Sequence, residues 1–287
     1  MVTVVDAANF LKDFGSWDDL KDRNIALGDE DERNIVDLLV DQVEFANVII
    51  VNKTDLVSAE QIGLIKKIIS QLNSSAIILE STKSQVPLDS ILGTKRFQLD
   101  AAAELSSDWL AIPRGEEEAE TEEYGISNFI FRSDRPFHPQ RIWDAIGEDM
   151  DSTFFQGVLR SKGIAWIASR HDWAYNWSQA GCSVLLEPAG FWWASAPEES
   201  WPEEEEMVSE IQARMTHSEY GDRQQELVFI GQNLNQERVT RLLSQCLLTD
   251  EEYALGPASW EHFQDPMPAI EVSYEDESAV DEQGTGL

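Results

Sequence analysis

Cysteine is nearly missing from the 287-residue sequence: Cys182 and Cys246 stand alone, with no CxxC spacing between them. That argues against a disulfide framework and a thiolate metal site, and a reducing cytoplasm fits best. Positive charge is scarce as well. The 54 acidic residues face 21 lysines and arginines, a formal net charge of -33, which repels nucleic acid and anionic membrane and favours cationic or metal-loaded partners. No apolar run approaches the roughly 20 residues of a membrane span. The opening Met1-Val2-Thr3-Val4-Val5-Asp6 has no basic region ahead of an apolar one, so neither secretion nor membrane insertion is expected. His138, His171, His217 and His262 lie far apart without HxH or HExxH spacing, so no dedicated zinc site is legible. The carboxylates fall in runs such as Glu203 to Glu206, which suit a helix N-terminus rather than a paired acid and base, and no Ser-His-Asp or Cys-His arrangement is supported.

What is present is a foldable chain: 42% hydrophobic residues with 10 Trp and 12 Phe suffice for two modest cores. Val2 to Val5 and Val48 to Val51 are β-branched runs and read as buried parallel strands. Between them Ile35, Leu38, Leu39, Val43 and Phe45 recur at near-helical spacing, after an acidic stretch from Asp29 to Glu32 that suits a helix start. Ser58 is a plausible N-cap for a helix through Ile62, Ile65, Ile68, Ile69 and Leu72, followed by a strand at Ala76 to Leu79. This alternation predicts an α/β segment over residues 1–108. Arg114 to Glu123 holds six Glu and reads as part of a solvated linker, 109–124. Beyond it the pattern predicts a smaller α+β domain over 125–249. Its expected elements are a strand at Ile126 to Arg132, a helix from about Pro139 to Ile146 and several short aromatic-rich strands between Val158 and Trp193. A helix over Glu203 to Met215, a strand at Leu227 to Ile230 and a closing helix at Val239 to Leu248 follow. From Asp250 onward there is no Lys or Arg, and 250–287 reads as an acidic, disordered tail.

One motif carries chemistry. Asn52-Lys53-Thr54-Asp55 follows a buried strand directly, and the carboxyl end of such a strand is where an open α/β sheet binds ligands. A carboxylate at Asp55 can accept hydrogen bonds from the N1–H and exocyclic amine of guanine, which adenine does not offer there. The Asn52 amide would bridge the purine and neighbouring loops, and the stem of Lys53 would lie over the base face. The alternative is an ordinary strand-to-helix turn with Asp55 near a cap. Ser81-Thr82-Lys83, just past the next strand, either offers backbone N–H groups to the guanine carbonyl or is a polar turn before Pro87.

These blocks resemble a known family. Val2-Thr3-Val4-Val5-Asp6-Ala7 and the stretch from Asp41 through Asn52-Lys53-Thr54-Asp55-Leu56 are similar to consecutive parts of the CobW family of P-loop GTPases. Arg135-Pro136-Phe137-His138-Pro139, Arg160-Ser161-Lys162-Gly163, Trp177-Ser178-Gln179-Ala180-Gly181 and Gly221 through Gly231 resemble that family's C-terminal domain. The resemblance covers roughly residues 1 to 249. It implies a partial P-loop GTPase-type parallel sheet, with Asn52, Lys53 and Asp55 reading GTP or GDP, and a GTPase that passes a metal ion, commonly zinc or cobalt, to a client metalloprotein. Mg and Zn are implied by the family alone. Its G-x-x-x-x-G-K-[ST] phosphate loop, Cys-x-Cys-Cys motif and acidic Mg-site strand are not found in the sequence, and no catalytic residue is assigned. Phosphate loops supply much of the hold on a nucleotide, so the guanine contacts alone would bind weakly. The expectation is an N-terminally truncated homologue or a half that needs its missing N-terminal partner. The competing class is a non-enzymatic interaction module.

Three further groups have two readings each. Arg132, Arg135, Arg141, Arg160, Lys162 and Arg170 form either a basic face or intramolecular ion pairs. Trp166, Trp173, Trp177, Trp192 and Trp193 form a partner surface or a core. His138 is a metal or partner contact, or part of a helix start.

Overall fold

The structure, a computed structural model, describes residues 1–14, 35–96, 125–146, 155–181, 183–202, 204–215 and 219–270. The expected linker 109–124, the acidic run Asp29 to Glu32 and residues 271–287 lie outside these.

Three parallel strands form the first sheet in the order β1-β2-β3, with β1 at Val2–Asp6, β2 at Val48–Asn52 and β3 at Ile77–Glu80. The β-branched run of β2 is the sheet's centre, and Val48, Ile49, Ile50 and Val51 are all buried, as a strand covered on both faces requires. The reading of β1 as a buried strand is corrected. It is an edge strand among the described residues, and its Val2 and Val4 are 46% and 55% exposed because no described element covers that side. Helices α1 (Ala7–Phe14), α2 (Ile35–Glu44) and α3 (Ala59–Leu72) pack Phe10, Val36, Val40, Ile65 and Ile69 into the core with Val5 and Val51. Ser58 caps α3 as expected. Its Oγ accepts from Gln61 N at 3.2 Å, and the Gln61 side chain accepts from Ser58 N at 3.0 Å, a reciprocal box contributing on the order of 1 kcal/mol.

The second sheet is antiparallel, in the order β4-β8-β5-β6-β7. Its strands are β4 (Ile126–Ser133), β5 (Val158–Trp166), β6 (Trp173–Ala180), β7 (Ser183–Phe191) and β8 (Gln225–Gln232). Helices Pro139–Ile146 and Gln236–Cys246 bury Ile142, Val239 and Leu243 against Phe129, Phe131, Tyr175, Trp177 and Phe229. The molecule is therefore mixed: a parallel α/β sheet followed by a separate antiparallel α+β domain. Three of the Trp-bearing segments close the core, with Trp166 and Trp177 almost wholly buried and Trp192 buried as well. Trp173 is partly buried against the core and packs, tilted, on the exposed Phe191 with ring centroids 4.2 Å apart.

The six cations singled out in the sequence are ion-paired, so the basic-face alternative falls. Arg132 meets Glu226, Arg135 meets Asp250, Arg141 meets Glu252, Arg170 meets Asp265, and Arg160 and Lys162 both meet Glu44. That last triad joins the domains. Arg160 Nε donates to Glu44 Oε1 at 3.0 Å and Lys162 Nζ to Glu44 Oε2 at 2.5 Å, with Arg160 Nη1 also held by Ser178 Oγ at 2.9 Å. Glu44 sits at the C-terminus of α2, whose last carbonyls are collected by a buried Asn73: its Nδ2 donates to Val43, Glu44 and Ala46.

The expectation of disorder from Asp250 onward fails for residues 250–270. Short helices at Asp250–Tyr253 and Pro257–Trp260 follow the closing helix, Trp260 is fully buried and Met267 nearly so. The segment carries no cation of its own, but Arg135, Arg141 and Arg170 supply three from the body of the second domain. No described helix is long and apolar enough to cross a membrane.

Candidate functional site

The parallel register aligns Asp6 of β1 with Asn52 of β2, so both end at the same edge of the sheet. Lys53 follows with φ 62°, a left-handed conformation that a side chain bearing Cβ adopts only when its surroundings hold it. Thr54–Leu56 is then one 3-10 turn leading to the Ser58 cap. The chain thus turns sharply away from the strand and leaves the Lys53 and Asp55 side chains exposed.

Each residue of the motif has a defined place. The Asn52 amide is committed to the loop after β3: its Nδ2 donates to Ser84 Oγ at 3.0 Å, and its Oδ1 accepts from Ser84 N at 2.8 Å. Thr54 ties the turn to the same loop, donating its backbone N–H and its hydroxyl to Ser81 O at 3.2 and 3.1 Å. Lys53 reaches the opposite way, with Nζ 2.6 Å from Asp6 Oδ2. Asp55 accepts no hydrogen bond from the described residues and faces solvent.

The structure therefore brings Asn52, Lys53, Asp55 and the Ser81-Thr82-Lys83 loop to one edge of the sheet. The chain runs from β2 through the 3-10 turn that holds Asp55 into α3, whose cap is Ser58. Sequence reasoning missed Asp6. The signal was available, because two strands in parallel pairing that end in Asp6 and Asn52 put those ends side by side. Burial raises the Asp6 carboxyl, but hydrogen bonds from Lys53, Asn9 and the Ala8 N–H outweigh it and hold it below the usual carboxylate range.

Other sequence candidates are structural. His138 precedes a helix, its carbonyl accepting from Ile142 N at 3.0 Å, and its ring stacks on Phe263 at 5.0 Å. Burial and then the charge of Arg141 depress its pKa. Gln225 closes the chain around Trp166, accepting from Trp166 N at 3.0 Å and donating to Trp166 O at 2.7 Å. Asp222 accepts from the N–H groups of Trp193 and Ala194 at 3.0 Å. No group of three His, Cys, Asp or Glu able to hold a metal ion occurs among the described residues. A cavity of about 280 Å³, lined by Phe191, Trp192, Trp193 and Arg214 among others, lies in the second domain, and none of the motif residues lines it.

Comparison with known proteins agrees with this division. Residues 1–80 match the CobW/HypB/UreG nucleotide-binding domain, and residues 126–247 match the cobalamin synthesis protein CobW C-terminal domain. A protein of Dictyostelium discoideum named zinc-regulated GTPase metalloprotein activator 1 is 43% identical over 268 residues, 93% of this chain and 55% of its own length. A protein of Mycobacterium tuberculosis named as a zinc chaperone is 30% identical over 139 residues, 47% of this chain and 33% of its own. The chain thus spans about half the length or less of these curated relatives. A Zn(II)-bound YjiA GTPase from E. coli aligns over 85% of this chain and 60% of its own at 15% identity with a TM-score of 0.32, too low to add weight. With both of its domain models matched in sequence order, the chain belongs to the CobW family.

Proposed function

We propose that this chain reads the guanine base in a GTP-binding metal chaperone that delivers a metal ion, zinc or cobalt, to client metalloproteins. The observation that carries this reading is the Asp55 carboxylate, exposed and accepting nothing from the described residues at the carboxyl end of the central strand β2. Guanine presents an N1–H and an exocyclic amine side by side, and a free carboxylate offers two acceptors to match them. Adenine would leave that carboxylate unpaired and desolvated, which costs more than the lost bonds alone.

The donor set fits the base. Asn52 works through the loop rather than on the purine, since Ser84 occupies both ends of its amide; it holds the loop after β3 where the Thr82 and Lys83 N–H groups can meet the guanine carbonyl, the Ser81 N–H being donated to Val51 O at 2.8 Å. Lys53 lays its stem beside the base. When bound, the nucleotide supplies the phosphate chemistry that would gate metal release, and the residues above bind and select its base. The donor set for Mg or for the cargo metal is another matter: the described residues contain no matching cluster.

The test is a titration of the chain with a fluorescent GDP analogue, with and without Mg²⁺, in competition with unlabelled GDP and ADP. Saturation displaced by GDP and not by ADP is expected, at an affinity weakened by the lack of a phosphate-loop motif. Equal displacement by both would sink the reading.

A further inference from the structure

We infer that Asp6 is a positioning residue that anchors Lys53, so that the lysine stem stands as one wall of the guanine slot. This rests on the guanine reading above. The Asp6 carboxylate is itself fixed before it meets the lysine: Oδ1 accepts from Ala8 N at 3.0 Å, and Oδ2 accepts from Asn9 Nδ2 at 2.9 Å. Both partners belong to the first turn of α1, which starts directly after β1. Lys53 Nζ then closes on Oδ2 at 2.6 Å, bridging the ends of two neighbouring strands.

A lysine stem is among the side chains that lose the most rotamer freedom on being ordered. An anchor at its far end removes part of that loss before any ligand arrives, which is how preorganisation raises affinity. The left-handed backbone of Lys53 fixes the near end, so the stem is held at both. The ion pair is partly open to solvent, with side-chain exposures of 46% and 33%, and solvent-screened pairs add little to fold stability. Its effect on nucleotide binding can therefore be read apart from any effect on folding.

The experiment is a double-mutant cycle on affinity for the fluorescent GDP analogue, using the full chain and its Asp6→Asn, Lys53→Met and doubly substituted variants. Asp6→Asn should weaken binding roughly two- to fivefold, the scale of an exposed pair. In the Lys53→Met background, which keeps an unbranched stem with nothing to anchor, the same change should have almost no effect. An equal loss in both backgrounds, or none in the parent, overturns the inference. Failure of the parent chain to bind at all overturns the guanine reading and this inference with it. A second readout needs no nucleotide: acetylation of Lys53 by a succinimidyl ester, followed by mass spectrometry, should be faster in Asp6→Asn than in the parent. An unchanged rate contradicts the anchor.

Discussion

The carboxyl edge of the first sheet and the enclosed ion pairs around Arg160 and Arg170 treat polar side chains in opposite ways. At the carboxyl edge of the first sheet the Lys53–Asp6 pair is partly exposed, and Asp55 has no partner among the described residues. Elsewhere charged groups are turned inward and spent on one another. In the second domain Arg170 and Asp265 have side-chain exposures of 12% and 19%, and at the junction of the domains Arg160 and Glu44 have exposures of 6% and 7%. Open polar groups on a buried scaffold are what a ligand site needs, since every partner they lack can come from the ligand. Enclosed, paired groups fix geometry instead. The motif blocks of the second domain, Arg160-Ser161-Lys162 and Trp177-Ser178-Gln179, interlock through Trp177 Nε1 donating to Ser161 Oγ, Ser161 Oγ donating to Gln179 Oε1 and Arg160 donating to Ser178. They hold that domain's sheet and, through Glu44, the first domain.

The contrast can be broken first at Glu44. Glu44→Ala leaves two cations without their shared acceptor at a largely enclosed interface, and breaking a buried pair in this way costs about 3–5 kcal/mol. Urea unfolding should register that loss; a change below about 1 kcal/mol would mean that the domains are not joined here. A smaller effect separates the enclosed domain by pH. Desolvation, helped by the charge of Arg223, lowers the His171 pKa from 6.5 to about 4 amid Trp166, Tyr220 and Trp260. The unfolded chain then takes up its proton first, so stability falls as pH drops from about 6.5 toward about 4. After allowance for partial exposure, His171 should account for about 1 kcal/mol lost between pH 7 and pH 5. His171→Gln should flatten that slope in unfolding titrations, and an unchanged slope would place the ring in water. The smallest effect belongs to the open edge, where Asp55→Asn should shift stability by no more than about 0.5 kcal/mol. A larger loss would make Asp55 a structural residue.

Much of the first domain was legible because its signals are local. A β-branched run specifies a buried strand, Ser58 and Gln61 specify a helix start, and Asn52 to Asp55 lie at their junction. Strands β4 and β8 and the helix at Pro139 were readable for the same reason, with ends shifted by a residue or two. Four things were not. The exposure of Val2 and Val4 depends on what lies beside β1, which periodicity within β1 does not report. Residues 250–270 are acidic and cation-free, the composition of a disordered tail, and they are ordered by arginines more than 75 positions away in the chain and by the burial of Trp260. Nothing in the sequence sets Glu44 apart from the other acids, and its two partners lie 116 and 118 positions later in the chain. The Asp6–Lys53 pair needed the strand register, which the sequence implied without stating.

The most direct test of the account exchanges the base. Xanthine carries a carbonyl where guanine carries its exocyclic amine, and an asparagine amide can donate to that carbonyl while a carboxylate cannot. Affinities of GDP and XDP measured for the parent chain and for Asp55→Asn should therefore cross, the parent favouring GDP and the variant favouring XDP. If both proteins hold the two nucleotides with the same ratio of affinities, Asp55 does not read the base and the central claim is wrong.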